Sequence, residues 1–301
     1  MAIHYDTLKS FVFEDQRQSY SRRDAILYAL GIGLGADPLD PQQLRFVYER
    51  DLVALPTLGV VLAQARNWLM RPELGITWQR VLHGEHALVL NRPMPAKASV
   101  RGVTRIEEVV DKGLDKGALV YVHRNVFEDG VEAPLLTVRQ TLVCRADGGF
   151  GGPVTEAPPV LPLPPTAPDL SVDLPTSPRA ALIYRLSGDT NPLHIDPDMA
   201  RRAGFDRPIL HGLCTFGIAG HALLRGVFNY APEKMRTLQG RFSAPVYPGD
   251  TIRTEIWQLG EGDFAFRCKA IERDVVVLDN GKATARQGAA CIDTLVASVH
   301  T

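Results

Sequence analysis

A proline-rich segment divides this sequence near its middle. Between residues 153 and 178 of the 301-residue chain, prolines recur too often for a helix or a central strand, because each proline removes a backbone amide donor. A segment of this kind forms an extended connector. We therefore expect two folding units, residues 1–152 and residues 179–301, each long enough for one compact domain.

The two units resemble each other in sequence. Three blocks of similar residues recur in the same order and at a nearly constant offset. They pair residues 21–30 with 177–186, 55–59 with 213–217, and 82–84 with 238–240. Chance rarely preserves such an order, so the chain is interpreted as a duplicated unit of about 150 residues, joined by the connector.

Each unit has the pattern of a short helix, a loop, an apolar helix and then alternating strands. In the second unit the apolar helix is predicted at residues 212–227, and the strands at residues 236–242, 251–259, 263–272 and 288–298. Several antiparallel strands after one long helix indicate an α+β fold, in which a curved sheet wraps around that helix.

Composition and charge exclude several classes of protein. A hydrophobic content of 45% is too high for a disordered chain, and a net charge of -1 gives no basic surplus for binding a nucleic acid. The four cysteines are widely scattered and are expected to be reduced thiols. The sequence has no apolar run long enough to cross a bilayer and starts without a signal-peptide pattern, so we predict a cytoplasmic location and no membrane partner.

The densest group of potentially catalytic side chains lies in residues 184–197. Asp189 and His194 are close in sequence and separated by a proline-containing turn, so both can project to the same side and flank one water molecule. From this segment alone a structural interpretation is equally open. In that interpretation Asp189 forms an Asx-turn, Asn191 caps it, and His194 is a hydrogen-bonded loop residue.

The repeat favours the catalytic interpretation. The corresponding stretch of the first unit, residues 31–41, keeps the glycines, prolines and aspartates of a turn but has no histidine. If the fold required His194, the first copy would be expected to retain a histidine there. We therefore predict that the second unit carries the chemistry and that the first unit helps to shape a substrate cavity.

A metal site is a further alternative, because aspartate and histidine both bind zinc and iron. The candidate ligands are Asp189, His194, Asp196 and His211. No His-x-His pair, His-x-x-x-His pair or cysteine pair accompanies them, so no metal is predicted. Asp196 is instead expected to cap a short helix that begins at Pro197.

The apolar helix is predicted to begin at Gly212, directly after His211. The first amides of a helix have no partner within it, and they lie at the positive end of the helix dipole. The backbone N–H at or next to Gly212 is therefore a candidate donor to a developing oxyanion. The alternative is a glycine that the fold needs for tight packing at the helix start.

The polar cluster resembles a known motif. Residues 184–197, followed by residues 211–213, are similar in order and spacing to the hydratase motif of the MaoC-like dehydratases. Short blocks of the first half resemble the peroxisomal-type (R)-specific enoyl-CoA hydratases, and these are residues 46–49, 55–57, 82–85, 111–113 and 150–152. The resemblance implies a double hot-dog fold, in which each of two units wraps a curved antiparallel sheet around a long helix.

The resemblance also implies an activity, the reversible addition of water to a trans-2-enoyl-CoA to give the (R)-3-hydroxyacyl-CoA. By motif position, Asp189 and His194 then share one water molecule. Asn191 orients the site, and the amide of Gly212 holds the thioester oxygen. The reaction requires no metal and no organic cofactor.

Further residues are expected to bind the acyl-CoA substrate. Near the loop and the helix start these are Tyr184, Phe205, Ile209, His211 and Leu213. Arg241 is the candidate for a contact with a CoA phosphate.

Two other functions stay open at this point. A hot-dog acyl-CoA thioesterase would direct a carboxylate and water at the thioester carbonyl, and a non-catalytic acyl-CoA binding protein would leave Asp189 and His194 unused. The assembly is also open, because the two units can pair within one chain as a pseudo-dimer or the chain can form a homodimer.

Overall fold

The computed structural model describes residues 3–152 and 162–288, and the ten strands of these residues form one antiparallel sheet. The first unit supplies β1 (Gln16–Tyr20), β2 (Val81–Leu90), β3 (Ala98–Asp111), β4 (Ala118–Glu128) and β5 (Leu136–Cys144). The second part of the chain supplies β6 (Leu170–Pro175), β7 (Met235–Phe242), β8 (Thr251–Gly260), β9 (Asp263–Ala270) and β10 (Val275–Ala285). Among the described residues the strand order is β1-β3-β4-β5-β2-β7-β10-β9-β8-β6.

The sheet consists of two equivalent halves. From edge to centre, one half runs β1-β3-β4-β5-β2 and the other runs β6-β8-β9-β10-β7, so the two have the same topology. They join where β2 and β7 pair antiparallel, with Leu88 opposite Leu238. The arrangement confirms the predicted α+β double hot-dog class, and both halves of the repeat contribute to one continuous sheet.

Short helices connect the strands, and one long helix lies against the sheet. In the described residues the α-helices are α1 (Tyr5–Lys9), α2 (Arg22–Gly31), α3 (Pro41–Leu44), α4 (Ala180–Tyr184), α5 (Pro197–Arg202) and α6 (Gly212–Gly226). Helix α6 ends one residue before the predicted boundary. The side chains between Cys214 and Leu224, such as Phe216 and Leu223, are buried, and this burial explains why the helix is largely apolar.

The first unit differs from the expectation of one long helix in each unit. At the place equivalent to α6, the described chain forms only a short 3-10 helix, Pro56–Val61. Proline starts this helix well, but Leu62 has an extended backbone (φ -84°, ψ 139°) and Ala63 is left-handed with φ 46°, so the helix ends at Val61. The long central helix is therefore a feature of the second unit.

Three of the four strands predicted in the second unit are present at closely similar bounds, namely β7, β8 and β9. The fourth prediction, residues 288–298, lies outside the described residues apart from Gly288. Strand β10 was not among the strands predicted from the sequence, and Asn280 and Gly281 interrupt it. In the structure this pair forms a bulge, with Asn280 at φ 51° and a register shift between Asp279 and Lys282.

The predicted connector, residues 153–178, includes a strand. Its residues 153–161 lie outside the described part of the chain, and β6 occupies its later portion. Strand β6 pairs with β8 at the edge of the sheet and ends at Pro175, a position that tolerates proline. The division into two units at this segment stays an interpretation.

None of the helices in the described residues is both long and apolar enough to traverse a lipid bilayer.

Candidate active site

The loop between α4 and α6 contains the predicted polar cluster. After α4 the chain makes one 3-10 turn, Arg185–Ser187, and then Gly188 adopts a left-handed backbone with φ 118°. Side chains other than glycine rarely adopt this conformation, so Gly188 ends the helix and redirects the chain. Asp189 follows immediately and is exposed to solvent.

The structure brings together the side chains of Asp189, His194 and His211. One polar atom from each, either a carboxylate oxygen or a ring nitrogen, lies within 4.8 Å of the other two. His194 is 8% exposed and His211 is 1% exposed, whereas Asp189 faces the solvent. A carboxylate and an imidazole therefore meet at the border between the protein interior and water, as the sequence predicted.

Asn191 organises the turn between the two candidate catalytic residues. Its backbone N–H donates to Oδ1 of Asp189 at 3.1 Å, and its own Oδ1 accepts from the N–H of Leu193 at 3.0 Å. Asn191 thereby caps the 3-10 helix Pro192–His194 that presents His194. The Asx-turn of the structural interpretation is thus present, and it fixes the spacing of Asp189 and His194.

The tautomer of His194 follows from its hydrogen bond. Nδ1 lies 2.8 Å from the backbone oxygen of Ile209, which can only accept, so Nδ1 carries the proton. Burial lowers the pKa of His194, while the Ile209 carbonyl and the charge of Asp189 act in the opposite direction. The ring is therefore neutral near pH 7, and Nε2 is left with a lone pair for a proton.

His211 supports the loop from behind. Its ring stacks on the ring of His194 with centroids 3.7 Å apart, and its Nε2 donates to the backbone oxygen of Asp189 at 3.1 Å. Burial, with a smaller contribution from His194, lowers the pKa of His211 to about 4. His211 was predicted to bind substrate, but the structure places it beneath the candidate catalytic residues.

The same three side chains could be considered as metal ligands. The two imidazole rings stack with centroids 3.7 Å apart and planes only 28° apart, so their lone pairs lie in two nearly parallel planes. Tetrahedral coordination needs lone pairs that converge on one ion. The geometry therefore favours a water molecule between Asp189 and His194.

Asp196 serves another purpose, because its Oδ1 accepts from the N–H of Asp198 at 2.8 Å and caps α5.

Gly212 is the first residue of α6. The backbone carbonyl of His211 accepts from Cys214 at 3.0 Å and from Thr215 at 3.2 Å, and the N–H of Gly212 has no hydrogen-bond partner among the described residues. A β-carbon built on Gly212 would lie 3.3 Å from Cε1 of Phe242, so the helix start is closely packed on one side. Both predicted properties, a free amide and tight packing, are thus present together.

His83 lies near the candidate site but was not predicted as a site residue. It lies on β2 of the first unit, and its ring contacts the ring of Phe242 edge-on, with centroids 4.8 Å apart. Its Nε2 is 3.1 Å from Nδ1 of His86, and burial lowers its pKa to about 4, although the charge of Asp189 raises it. His83 belongs to the repeated block 82–84, which in the sequence indicated only a duplication.

The other predicted substrate contacts are distributed around this centre. Tyr184 is 1% exposed, and its ring lies 5.8 Å from that of Tyr28 and 5.1 Å from that of His211, so it forms an internal wall. Phe205, Ile209 and Leu213 are half-buried. Of these, Ile209 has a defined role through its carbonyl, and Leu213 packs against the main hydrophobic core.

The structure does not bring Arg241 to the loop. Successive residues of a strand point to opposite faces of a sheet, and Phe242 faces α6, so Arg241 points to the outer face. There its Nε and Nη2 donate to Oε1 of Glu85 at 2.9 and 2.7 Å. Both residues line a cavity of about 420 Å³ on that face. Arg241 is thus separate from the Asp189 loop, and its contact with a CoA phosphate stays a prediction.

Comparisons with known proteins cover both halves of the chain. Residues 18–146 match the family described as MFE-2 hydratase 2 N-terminal domain, and residues 161–280 match the family described as MaoC like domain. The chain is 37% identical to 3-hydroxyacyl-thioester dehydratase Y of Mycobacterium tuberculosis, over 93% of this chain and 98% of that protein. The chain belongs to the MaoC-like family.

Other members of the MaoC-like family show the same extent of similarity. The peroxisomal enoyl-CoA hydratase 2 of Arabidopsis thaliana is 37% identical, over 91% of this chain and 93% of that protein. The crystal structure of a MaoC-like dehydratase from Phytophthora capsici superposes with a TM-score of 0.83 at 32% identity, over 95% of this chain and 100% of that one. The similarity therefore includes the whole double hot-dog and is not confined to the motif.

Proposed function

We propose that this MaoC-like protein is an (R)-specific enoyl-CoA hydratase, which adds water reversibly to a trans-2-enoyl-CoA to give the (R)-3-hydroxyacyl-CoA. The observation that carries the proposal is the meeting of Asp189 and His194 at the solvent border, with polar atoms within 4.8 Å. The free amide of Gly212 at the start of α6 adds the third required group. The relatives that span the chain are named as hydratases and dehydratases of acyl thioesters.

The geometry suggests a role for each group. Nε2 of neutral His194 takes a proton from water as the water oxygen bonds to C3 of the enoyl group. The electron pair of the alkene moves towards the thioester oxygen, whose negative charge the N–H of Gly212 stabilises. The proton on Nε2 then passes to C2, so the water is divided across the double bond and His194 returns to its neutral form.

Asp189 orients the water and stabilises the transient imidazolium. Its carboxylate accepts the second O–H of the water, which stays on oxygen and becomes the product hydroxyl. The N–H of Asn191 holds the carboxylate at 3.1 Å, and the ring of His211 supports the Asp189 backbone. Because these two residues act through Asp189, they are positioning residues. The proposal requires no metal and no organic cofactor.

The first unit completes the site without supplying the acid–base pair. His83 and the β2–β7 junction bring the first unit next to Phe242 and Gly212. We therefore assign the first unit to substrate positioning and to the acyl-group cavity. The two paired units form a pseudo-dimer within one chain, whereas association of two chains and the cytoplasmic location stay predictions.

Crotonyl-CoA tests the proposal directly. The purified protein should remove the enoyl absorbance without releasing free thiol. Chiral analysis should identify the product as (R)-3-hydroxybutyryl-CoA. Thiol release with the alkene retained would indicate a thioesterase. Binding of crotonyl-CoA without either change would indicate a non-catalytic acyl-CoA binding protein.

A further inference from the structure

Arg66 of the first unit lies directly against the catalytic loop of the second. A β-carbon built on Gly188 would come within 2.9 Å of Nη2 of Arg66, so the guanidinium occupies the space beside the residue that precedes Asp189. Arg66 is exposed, and within the described part of the chain it has no ion pair or hydrogen bond. A solvent-facing positive charge thus borders the loop at its exposed end, where Asp189, Thr190 and Asn191 face water.

Arg185 adds a second positive charge to the same loop. It opens the 3-10 turn Arg185–Ser187, and its carbonyl accepts from the N–H of Gly188 at 3.1 Å. Its side chain is half-buried, its Nε has no hydrogen-bond partner, and no acidic residue of the described chain pairs with it. The charge of Arg185 also contributes to the low pKa of His211, which places the guanidinium near the candidate catalytic residues.

The two arginines differ from the arginine first considered for substrate phosphate. Arg241 is satisfied by Glu85 on the outer face of the sheet, whereas Arg66 and Arg185 have no carboxylate partner among the described residues. A guanidinium binds phosphate oxygens through parallel N–H donors, and such charge-assisted bonds are strong. The unpaired guanidinium groups of Arg66 and Arg185, beside the Asp189 loop, are therefore suited to bind the phosphates of a nucleotide-linked carrier.

We propose that Arg66 and Arg185, one from each unit, bind phosphate groups of the CoA carrier beside the Asp189 loop. The assignment rests on the proposed function, since it takes a CoA thioester as the substrate. The two arginines would recognise the phosphates of the carrier, a part of the substrate separate from the acyl group that reacts. The assignment also gives the first unit a second contribution to the site.

The test compares two thioesters that share the same reacting atoms. Steady-state KM is measured for crotonyl-CoA and for crotonyl-N-acetylcysteamine, which has the same alkene and thioester but no nucleotide and no phosphate. In R66Q the ratio of the first KM to the second should rise about tenfold, the expected effect of losing one charge-assisted contact. R185Q should raise the same ratio, and R185K should raise it less because the charge is kept.

The matched control is R105Q. Arg105 is an exposed arginine on the outer face of β3, where it lies opposite His123, and its loss should leave the KM ratio unchanged. Thermal unfolding of each variant separates a binding effect from misfolding. An unchanged ratio in folded R66Q and R185Q, or an equal rise in both KM values, would overturn the proposal. If the wild-type protein hydrates neither thioester, the result would instead overturn the proposed function.

Discussion

The imidazole rings of His194 and His211 stack with centroids 3.7 Å apart, and Nε2 of His211 donates to the backbone oxygen of Asp189. His211 thus holds both members of the candidate pair at once. The variant H211F keeps a flat ring for the stack but removes the donor to Asp189. We expect kcat to fall about tenfold to a hundredfold with KM changed little, because the catalytic geometry is loosened.

The glutamine variant H211Q separates positioning from packing. Its side-chain amide can still donate to the Asp189 carbonyl, so it should recover part of the kcat lost in H211F. Equal kcat values for H211F and H211Q would show that the hydrogen bond to Asp189 has no role in positioning.

Conservative replacement of either proposed catalytic residue should abolish most activity. In D189N the carboxylate becomes a neutral amide of the same shape, and in H194Q the basic Nε2 is lost. We expect kcat/KM for crotonyl-CoA to fall by about a thousandfold or more in each variant. The double variant should be only slightly worse than either single one, because the two residues act on the same water. Retention of more than a tenth of the activity by D189N would remove Asp189 from the mechanism.

Proline at position 212 tests the amide of Gly212 in isolation. Position 212 is the first of α6, where proline is tolerated, and His211 has the extended backbone (φ -58°, ψ 134°) that a following proline prefers. We expect G212P to fold and to lose about a hundredfold to a thousandfold in kcat, since it removes one oxyanion donor. G212A keeps the N–H and adds a β-carbon near Phe242, so it is the steric control. Similar kcat values in G212P and G212A would argue against an oxyanion role.

The protein should lose stability as the pH falls below neutrality. Burial lowers the pKa values of His83, His211 and His221 to about 4, whereas the unfolded chain titrates these rings near 6.5. Between these pH values the unfolded state binds more protons than the folded state. The free energy of unfolding should therefore be highest above about pH 6.5 and should decline as the pH falls towards 4. Urea unfolding at pH 7.5, 6.0 and 5.0 measures the decline. A flat profile over this range would show that these histidines are not held neutral.

The pair His83 and His86 should behave as a coupled unit. Replacing His83 with Phe removes the partner of Nδ1 of the buried His86, so H83F should destabilise the protein by about 1 to 3 kcal/mol. In the double variant H83F/H86F no polar atom is left unpaired, and the destabilisation should be smaller than the sum of the two single effects. Chemical denaturation of the four proteins gives this comparison, and strict additivity would contradict a direct hydrogen bond.

The sequence predicted the parts of the site that lie close together along the chain. Asp189, Asn191 and His194 belong to one turn, so motif spacing and turn chemistry were sufficient to place them. Gly212 was also predictable, because an apolar run after a His-Gly pair indicates where a helix begins. The repeat further predicted the two-part sheet, since each copy carries the same order of helix and strand patterns.

Contacts between the two units were not predictable in the same way. His83 approaches Phe242 only because β2 and β7 pair in one register, and a pattern within either strand does not specify that register. For Arg241 the residue type was suitable, but the alternation of the strand turns it to the outer face. The first unit has a short helix in place of a long one because Leu62 is extended and Ala63 is left-handed, and a sequence offers little warning of either conformation.

The pairing of β2 with β7 joins the two units of the repeat within a single polypeptide. Two identical chains associated in the same way would carry every substitution twice, so a change that helped one copy would also alter the catalytic loop of the other. Fusion releases this constraint. The first unit can then have a short 3-10 helix where the second has α6, and it can place Arg66 against the neighbouring loop, while the second unit carries Asp189 and His194.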